Sequence, residues 1–258
     1  MKNPRDTYNK LIPVEPLVEK LYHHFYDLNY PYAVARSRYR RWIRDILESG
    51  KATRVLDCGC GDGYHAVTAE LVQQNQIQLV GVDVAFAALS GNRLMKRKAV
   101  ADAEALPFEK SSFDLVVCES VLEHLLAPEL FLQEAFRVLQ PSGRLMILTS
   151  GRWHPFMIIN RWLSAAKLGA AKMLFHLLRR PLTSTFPAFY RCNSKKTLTK
   201  QATAAGLRIE SLHVASGTFG YLRFSKWLII LGVLFDRMTD NRLLDFSKIS
   251  LLAILQKP

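Results

Sequence analysis

The chain has 258 residues, 49% of them apolar, and 35 Lys and Arg stand against 22 Asp and Glu. That length and composition exclude a disordered, collagen-like or disulfide-stapled chain and fit one elaborated α/β domain with a covered core. The charge is unevenly spread: residues 1–150 carry 18 basic and 18 acidic side chains, residues 151–258 carry 17 and 4, so the surplus of the second part points to an anionic partner.

Residues Met1 to Asp6 are polar and lack the apolar stretch of a signal peptide, so a cytoplasmic location is expected. Tyr22, Phe25, Tyr26, Tyr30 and Tyr32 follow, then Arg36, Arg38, Arg40, Arg41 and Arg44. The even spacing of the arginines spreads them around a helix, which leaves two readings: a solvated face paired with Asp45 and Glu48, or a substrate clamp. Residues 1–50 are read as an N-terminal helical cap.

The next stretch, Val55-Leu56-Asp57-Cys58-Gly59-Cys60-Gly61-Asp62-Gly63, is an apolar run that ends in an acid and breaks into a loop with glycine at every second position. Tyr64 to Gln74 read as a helix, so the loop is expected to offer unpaired N–H groups at a helix N-terminus. Such a cradle suits a nucleotide-like cofactor. A dinucleotide fingerprint would read G-x-G-x-x-G, with its third small residue packing helix on strand. Here the pattern is G-x-G-x-G followed by Tyr64, which argues against a tightly seated pyrophosphate. Asp83 closes the next strand, Gln78 to Asp83, 20 residues after Gly63. A carboxylate there can accept ribose hydroxyls of either kind of cofactor and does not choose between them. The loop holds Asp57 and Asp62 and no Lys or Arg, unlike a phosphate-binding P-loop.

Three further blocks follow in order. Val100 to Phe108 is a strand end with Asp102 and then a turn. Phe113 to Leu125 is a buried strand leading into Cys118, Glu119, Glu123 and His124. Glu134 to Gly143 closes a helix and turns into the strand Arg144 to Ser150. In this order and spacing the series resembles the class I S-adenosylmethionine-dependent methyltransferases, in particular the small-molecule group that includes the ubiquinone and menaquinone enzymes. The resemblance covers roughly Arg54 to Ser150, and more weakly Arg191 to Val214.

It implies an α/β fold: a Rossmann-like, seven-stranded, mainly parallel sheet with helices on both faces. A helical insertion follows the fifth strand, and Ile249 to Gln256 forms a final antiparallel strand. It also implies S-adenosylmethionine as cofactor. In that family the glycine loop lies under the methionine moiety, a role that falls on Asp57, Gly59, Gly61 and Gly63. Asp83 would hold the ribose, Val84 would lie against the adenine, and Asp102 and Ala103 would meet its edge. Cys118 and Glu119 would meet the methionyl ammonium. Ser142 departs from the family's Pro-Gly-Gly turn, and Gly143 is expected to supply the αL position. His124, after the fourth strand, is the candidate general base for an acceptor hydroxyl. The family histidine there also has a structural role, bonded across the start of the next helix. Glu119 and Glu123 are alternatives, and Tyr30 and His154 are candidate pocket residues.

Cys58, Cys60, Cys118 and Cys192 have no metal-site spacing and read as reduced core or loop residues; no metal is expected. Residues 51–150 form the cofactor-binding core, 151–190 a helical lid, and 191–258 the rest of the sheet with an apolar helix. Arg161, Lys167, Lys172, Arg179 and Arg180 alternate with apolar residues, and Trp227 to Phe235 is wholly apolar. Three readings stand for these segments: packing on the sheet, an anionic membrane surface, or a lid or dimer contact. Nine apolar residues are too few to span a bilayer. Large aliphatics between the basic residues argue against nucleic acid. The expected activity is methyl transfer to a small or lipid-linked acceptor: a quinone precursor, an isoprenoid or a lipid-carried glycan. The rivals are a soluble small-metabolite O- or N-methyltransferase and a non-catalytic cofactor-binding subunit.

Overall fold

Apolar runs of five to seven residues, each followed by a helical pattern, make parallel strands with covered faces. In the computed structural model, which describes residues 31–62, 67–93, 95–165, 186–218, 222 and 225–258, seven strands form one sheet. In chain order the elements run α1 (Pro31–Glu48), β1 (Arg54–Cys58), α2 (Ala69–Gln74), β2 (Gln78–Asp83), α3 (Phe86–Gly91), β3 (Arg97–Val100) and β4 (Phe113–Glu119). They continue with a 3₁₀ turn (Leu122–His124), α4 (Pro128–Val138), β5 (Leu139–Ser150), α5 (Pro155–Ala165), α6 (Lys195–Ala204), β6 (Arg208–Ala215), α7 (Lys226–Met238), a second 3₁₀ turn (Arg242–Ser247) and β7 (Ser250–Gln256).

The strand order is β3-β2-β1-β4-β5-β7-β6. All neighbours from β3 to β5 are parallel, and β7 runs antiparallel to both β5 and β6. The order reverses between β1 and β4, so the crevice past the ends of Cys58 and Glu119 is the switch point where such sheets bind ligands. Strand β4 shows why both faces are covered. Leu115 and Val117 pack with Tyr39, Ile43 and Leu47 of α1. Val116 and Cys118 pack on the opposite face with Phe131, Leu132 and Leu198 of α4 and α6.

Three details differ from expectation. Strand β5 begins at Leu139 rather than Arg144, with an irregularity opposite Phe113 and Leu115. In the turn it absorbs, Ser142 itself takes the left-handed conformation at φ 65°, not Gly143. Gly143 is there for space: a Cβ would stand 2.8 Å from the Gln140 carbonyl oxygen and 3.1 Å from that of Asp114. The helix expected over Tyr64 to Gln74 is seen as α2 from Ala69; Thr68 caps it by accepting from the Leu71 amide, and 64–66 lie outside the described residues.

Candidate active site

The glycine loop leaves β1 and folds back onto the end of β2. The amides of Gly59 and Cys60 both donate to the Val82 carbonyl, at 2.8 and 3.0 Å. The Gly61 amide donates to Asp83 Oδ2 at 2.9 Å, and Asp83 Oδ1 accepts from the Ala85 amide at 2.8 Å. Of the loop N–H groups expected to be unpaired, those of Gly59, Cys60 and Gly61 are therefore spent on β2. Its carbonyls are held too. Buried Asn92 donates through Nδ2 to the Gly61 and Cys60 oxygens at 3.0 and 3.4 Å, while its Oδ1 accepts from the Met95 amide. Sequence reading missed Asn92, since nothing in its surroundings distinguishes it from any polar residue at a helix end.

The two described glycines do different jobs. Gly59 has φ 77° and lies under Val121, whose Cγ2 would be 2.0 Å from an added Cβ. Gly61 has φ 50° and open space before it, with nothing within 4 Å of such a Cβ. Gly63 lies outside the described residues, as does Tyr30. Asp57 is buried at the end of β1, in register with Gly81 and Val117.

Asp83 remains able to bind a hydroxyl, because a carboxylate has about four lone-pair sites and the backbone occupies two. Beside it Val84 is 54% exposed, an apolar surface left uncovered by the protein. Asp102 is exposed and turns the chain by accepting from the Glu104 amide, while Ala103 is buried. Their loop is pinned to α4: Glu104 accepts from the Ala127 amide, Glu134 accepts from that of Leu106, and Arg137 donates to the Leu106 and Phe108 carbonyls. The Arg137 guanidinium holds Glu134 below the usual carboxylate range.

Glu119 ends β4. Its Oε1 pairs with Arg36 of α1 at 2.7 Å, and its Oε2 is buried without a hydrogen-bond partner among the described residues. Arg36 thus reaches across to the sheet. Tyr39, one turn on, donates to the Met146 carbonyl and accepts from the Cys118 amide, both at 3.2 Å. Burial and then the Glu119 charge push the Tyr39 hydroxyl well above its ordinary value, so it stays protonated. Cys118 and Cys58 are driven up mainly by burial, and Cys60 is pushed up to about 12. These are neutral core thiols. Among the described residues no group of three or more His, Cys, Asp or Glu is arranged for a metal ion.

After Glu119 the chain turns sharply at Ser120, φ 59°, whose amide donates to the Leu148 carbonyl. His124 follows, partly exposed, with Nδ1 3.1 Å from the Pro187 carbonyl. A carbonyl only accepts, so Nδ1 carries the proton and Nε2 of the neutral ring keeps its lone pair. Its partner lies near the end of the 151–190 segment, not at the start of the next helix. Glu123 is otherwise engaged: its buried carboxylate accepts from Thr149 at 2.5 Å and Ser150 at 3.3 Å, and Asn193 donates to Thr149. Buried and held by these hydroxyls, Glu123 braces β5 against the turn.

His154 is held within the fold as well. It is buried, accepts at Nδ1 from the Phe156 amide, and donates from Nε2 to Thr218, which donates to Asp236 of α7. Burial lowers its pKa from 6.5 to about 4. The unfolded chain therefore takes up a proton below about pH 6.5 that the fold refuses. Stability is full above that value and falls with decreasing pH, by roughly 3 kcal/mol in all at pH 4. Urea midpoints between pH 7 and 5 should fall for the wild type, with a flatter slope in His154→Gln.

Sheet order and a glycine loop at the switch point define the class of the protein: an α/β domain built around a nucleotide-like cofactor. Residues 56–147 match the family model described as a methyltransferase domain. An uncharacterised protein of Methanocaldococcus jannaschii is 37% identical over 103 residues, 40% of this chain and 43% of that one. A ubiquinone biosynthesis O-methyltransferase of Leptothrix cholodnii is 29% identical over 121 residues, 43% and 50% of the two chains. The chain spans about half the length of the curated relatives it matches. Among solved structures, a geranyl diphosphate methyltransferase in complex with GPP and sinefungin aligns with TM-score 0.57 at 16% identity, over 86% of this chain and 79% of that one, a likeness of fold. Over that core the chain is similar to S-adenosylmethionine-dependent methyltransferases, the ubiquinone methyltransferases among them.

Proposed function

We propose that the protein methylates a small or lipid-linked acceptor at the crevice beyond β1, β2 and β4. The observation that carries this is the set of acceptors there. Open space fronts Gly61, Glu119 Oε2 is buried and unpaired among the described residues, and Asp83 stands beside exposed Val84. These carboxylate acceptors suit a ligand bearing an ammonium, a ribose and a flat base, and the one guanidinium named beside them, that of Arg36, is already paired with Glu119 Oε1. Asp57, Gly59, Gly61 and Gly63 would line the methionine part, Asp83 the ribose, and Val84, Asp102 and Ala103 the adenine. Cys118 through its backbone and Glu119 through its free oxygen would face the ammonium. When bound, S-adenosylmethionine supplies a sulfonium-borne methyl group with a good neutral leaving group, so positioning provides much of the acceleration.

The residues of the chain then hold the acceptor and remove its proton. His124 Nε2 is the group we assign to accept that proton, its ring being oriented by the Pro187 carbonyl. Exposed Leu126 and Phe186 stand near it, the Phe186 ring centroid 6.1 Å from that of His124. This apolar approach favours a quinone precursor, an isoprenoid or a lipid-carried glycan over a polar metabolite. The test is transfer of a labelled methyl group into organic-phase and aqueous extracts. Label is expected in the organic phase, and His124→Asn should slow turnover about a hundredfold while cofactor affinity stays within about twofold. Unchanged turnover in that variant would remove the base assignment, and label confined to the aqueous extract would remove the lipid-linked acceptor.

A further inference from the structure

Helix α7 has two apolar faces, and the fold uses one. Ile229, Gly232, Val233 and Asp236 are buried. Trp227, Ile230, Leu231, Leu234 and Met238 recur at the complementary helical spacing and are exposed, Trp227 by 67%, Leu231 by 57% and Met238 by 78%. The stripe continues into the following 3₁₀ turn, where Leu243 is 89% exposed and Phe246 is also open. The buried bond from Thr218 to Asp236 fixes which face points outward, and the contact of Phe235 with His154 sets α7 beside the start of α5. There Trp153 and Trp162 are exposed as well. A monomeric domain rarely leaves so continuous an apolar face uncovered.

The charges around it identify the occupant. All four acids of residues 151–258 are tied up within the fold: Glu210 by Arg144, Asp236 by Thr218, Asp240 by Lys248 and Asp245 by Lys195. Arg237 and Arg242 are exposed at the end of the stripe. Lys226 lies over the Trp227 ring at 5.8 Å, and Arg152 over that of Trp153 at 5.1 Å. Apolar side chains rimmed by cations, with tryptophans at the boundary, match a bilayer interface carrying anionic lipid. A second copy would bring the same positive charge against itself. No described helix is long and apolar enough to cross a membrane, so the fitting mode is lying on the surface.

We infer that the outer face of α7 and the adjoining 3₁₀ turn seat the protein on an anionic lipid surface. This deepens the lipid-linked part of the proposed function and rests on it. The face sits at the end of the sheet that carries the cofactor crevice, because Ser150, Ala215 and Ser250 meet in register there. The test is co-sedimentation of the full chain with vesicles of phosphatidylglycerol and phosphatidylcholine in equal parts, against phosphatidylcholine alone. Binding to the anionic vesicles is expected, weakened by raising salt from about 0.1 to about 0.5 M. Leu231→Gln/Leu234→Gln should lower it at least about tenfold without a change of charge. Arg237→Gln/Arg242→Gln should lower it about tenfold on anionic vesicles. Calorimetric titration with S-adenosylmethionine checks that both variants stay folded and keeps the two readings apart. Protein that binds cofactor yet stays in the supernatant, or a Leu231/Leu234 variant that sediments like wild type, overturns the surface and leaves the methyltransferase reading standing. A wild type that is dimeric by light scattering and becomes monomeric in the leucine variant assigns the face to a second copy and equally overturns it.

Discussion

Asp83→Ala is expected to weaken S-adenosylmethionine binding by roughly fiftyfold. The carboxylate clamps the glycine loop by accepting from the Gly61 amide and holds its own turn by accepting from the Ala85 amide. Its remaining lone pairs are the ones assigned to the ribose. Alanine removes the ribose partner and frees the Gly61 amide, which leaves the loop less ordered in the unbound protein. Hydrogen bonds to a charged acceptor contribute about 1.5–3 kcal/mol each, and one such loss alone weakens binding by roughly 10- to 150-fold. Asp83→Asn keeps one acceptor and should fall between. Titration with S-adenosylmethionine and S-adenosylhomocysteine measures both. An affinity within about threefold of wild type in Asp83→Ala would place the ribose elsewhere.

Gly59→Ala is expected to lower the free energy of unfolding by about 3 kcal/mol and to abolish cofactor binding. The position combines φ 77° with a Val121 methyl carbon 2.0 Å from where the new Cβ must go. Left-handed backbone costs a non-glycine residue about 1–2 kcal/mol, and relieving such a clash about 1–3 kcal/mol more. Any shift also disturbs the paired Gly59 and Cys60 amides on Val82 and the turn that carries His124. Gly61→Ala is the contrast. It meets no atom, so its stability cost is the backbone strain alone, yet its methyl enters the space assigned to the cofactor. Urea denaturation should therefore rank Gly59→Ala well below Gly61→Ala, while titration finds both impaired. Equal stability of the two variants would contradict the packing described for Val121.

Local patterns in the chain carry the regular part of the fold. Strands β1, β2 and β4 are legible because a strand covered on both faces must be apolar throughout. The loop after β1 is legible because alternating glycines have few other uses. Asp83 stands out by its distance from that loop. Contacts between distant segments are not written in any local pattern. The ion pair of Arg36 with Glu119 and the bond from Tyr39 to Cys118 cross about eighty positions, and the even spacing of the arginines suggested only a helix surface. The swapped roles of Ser142 and Gly143 were hidden for a related reason. A Pro-Ser-Gly turn names the residue able to adopt a left-handed φ, but only the neighbouring carbonyls of Gln140 and Asp114 reveal that the glycine is needed for room.

By itself the sequence determined the class of fold and the chemistry of the loop, because periodicity, glycine spacing and acid placement are local consequences of backbone geometry. Tertiary structure alone decided which polar groups are consumed by the fold and which are left over. Glu123 and His154 have the side chains of catalytic residues, yet one braces β5 and the other joins α5 to α7 through Thr218 and Asp236. It likewise decided that only one face of α7 is buried. A buried polar group must find partners and a buried apolar face must find a neighbour, and both are settled by what the fold brings beside them.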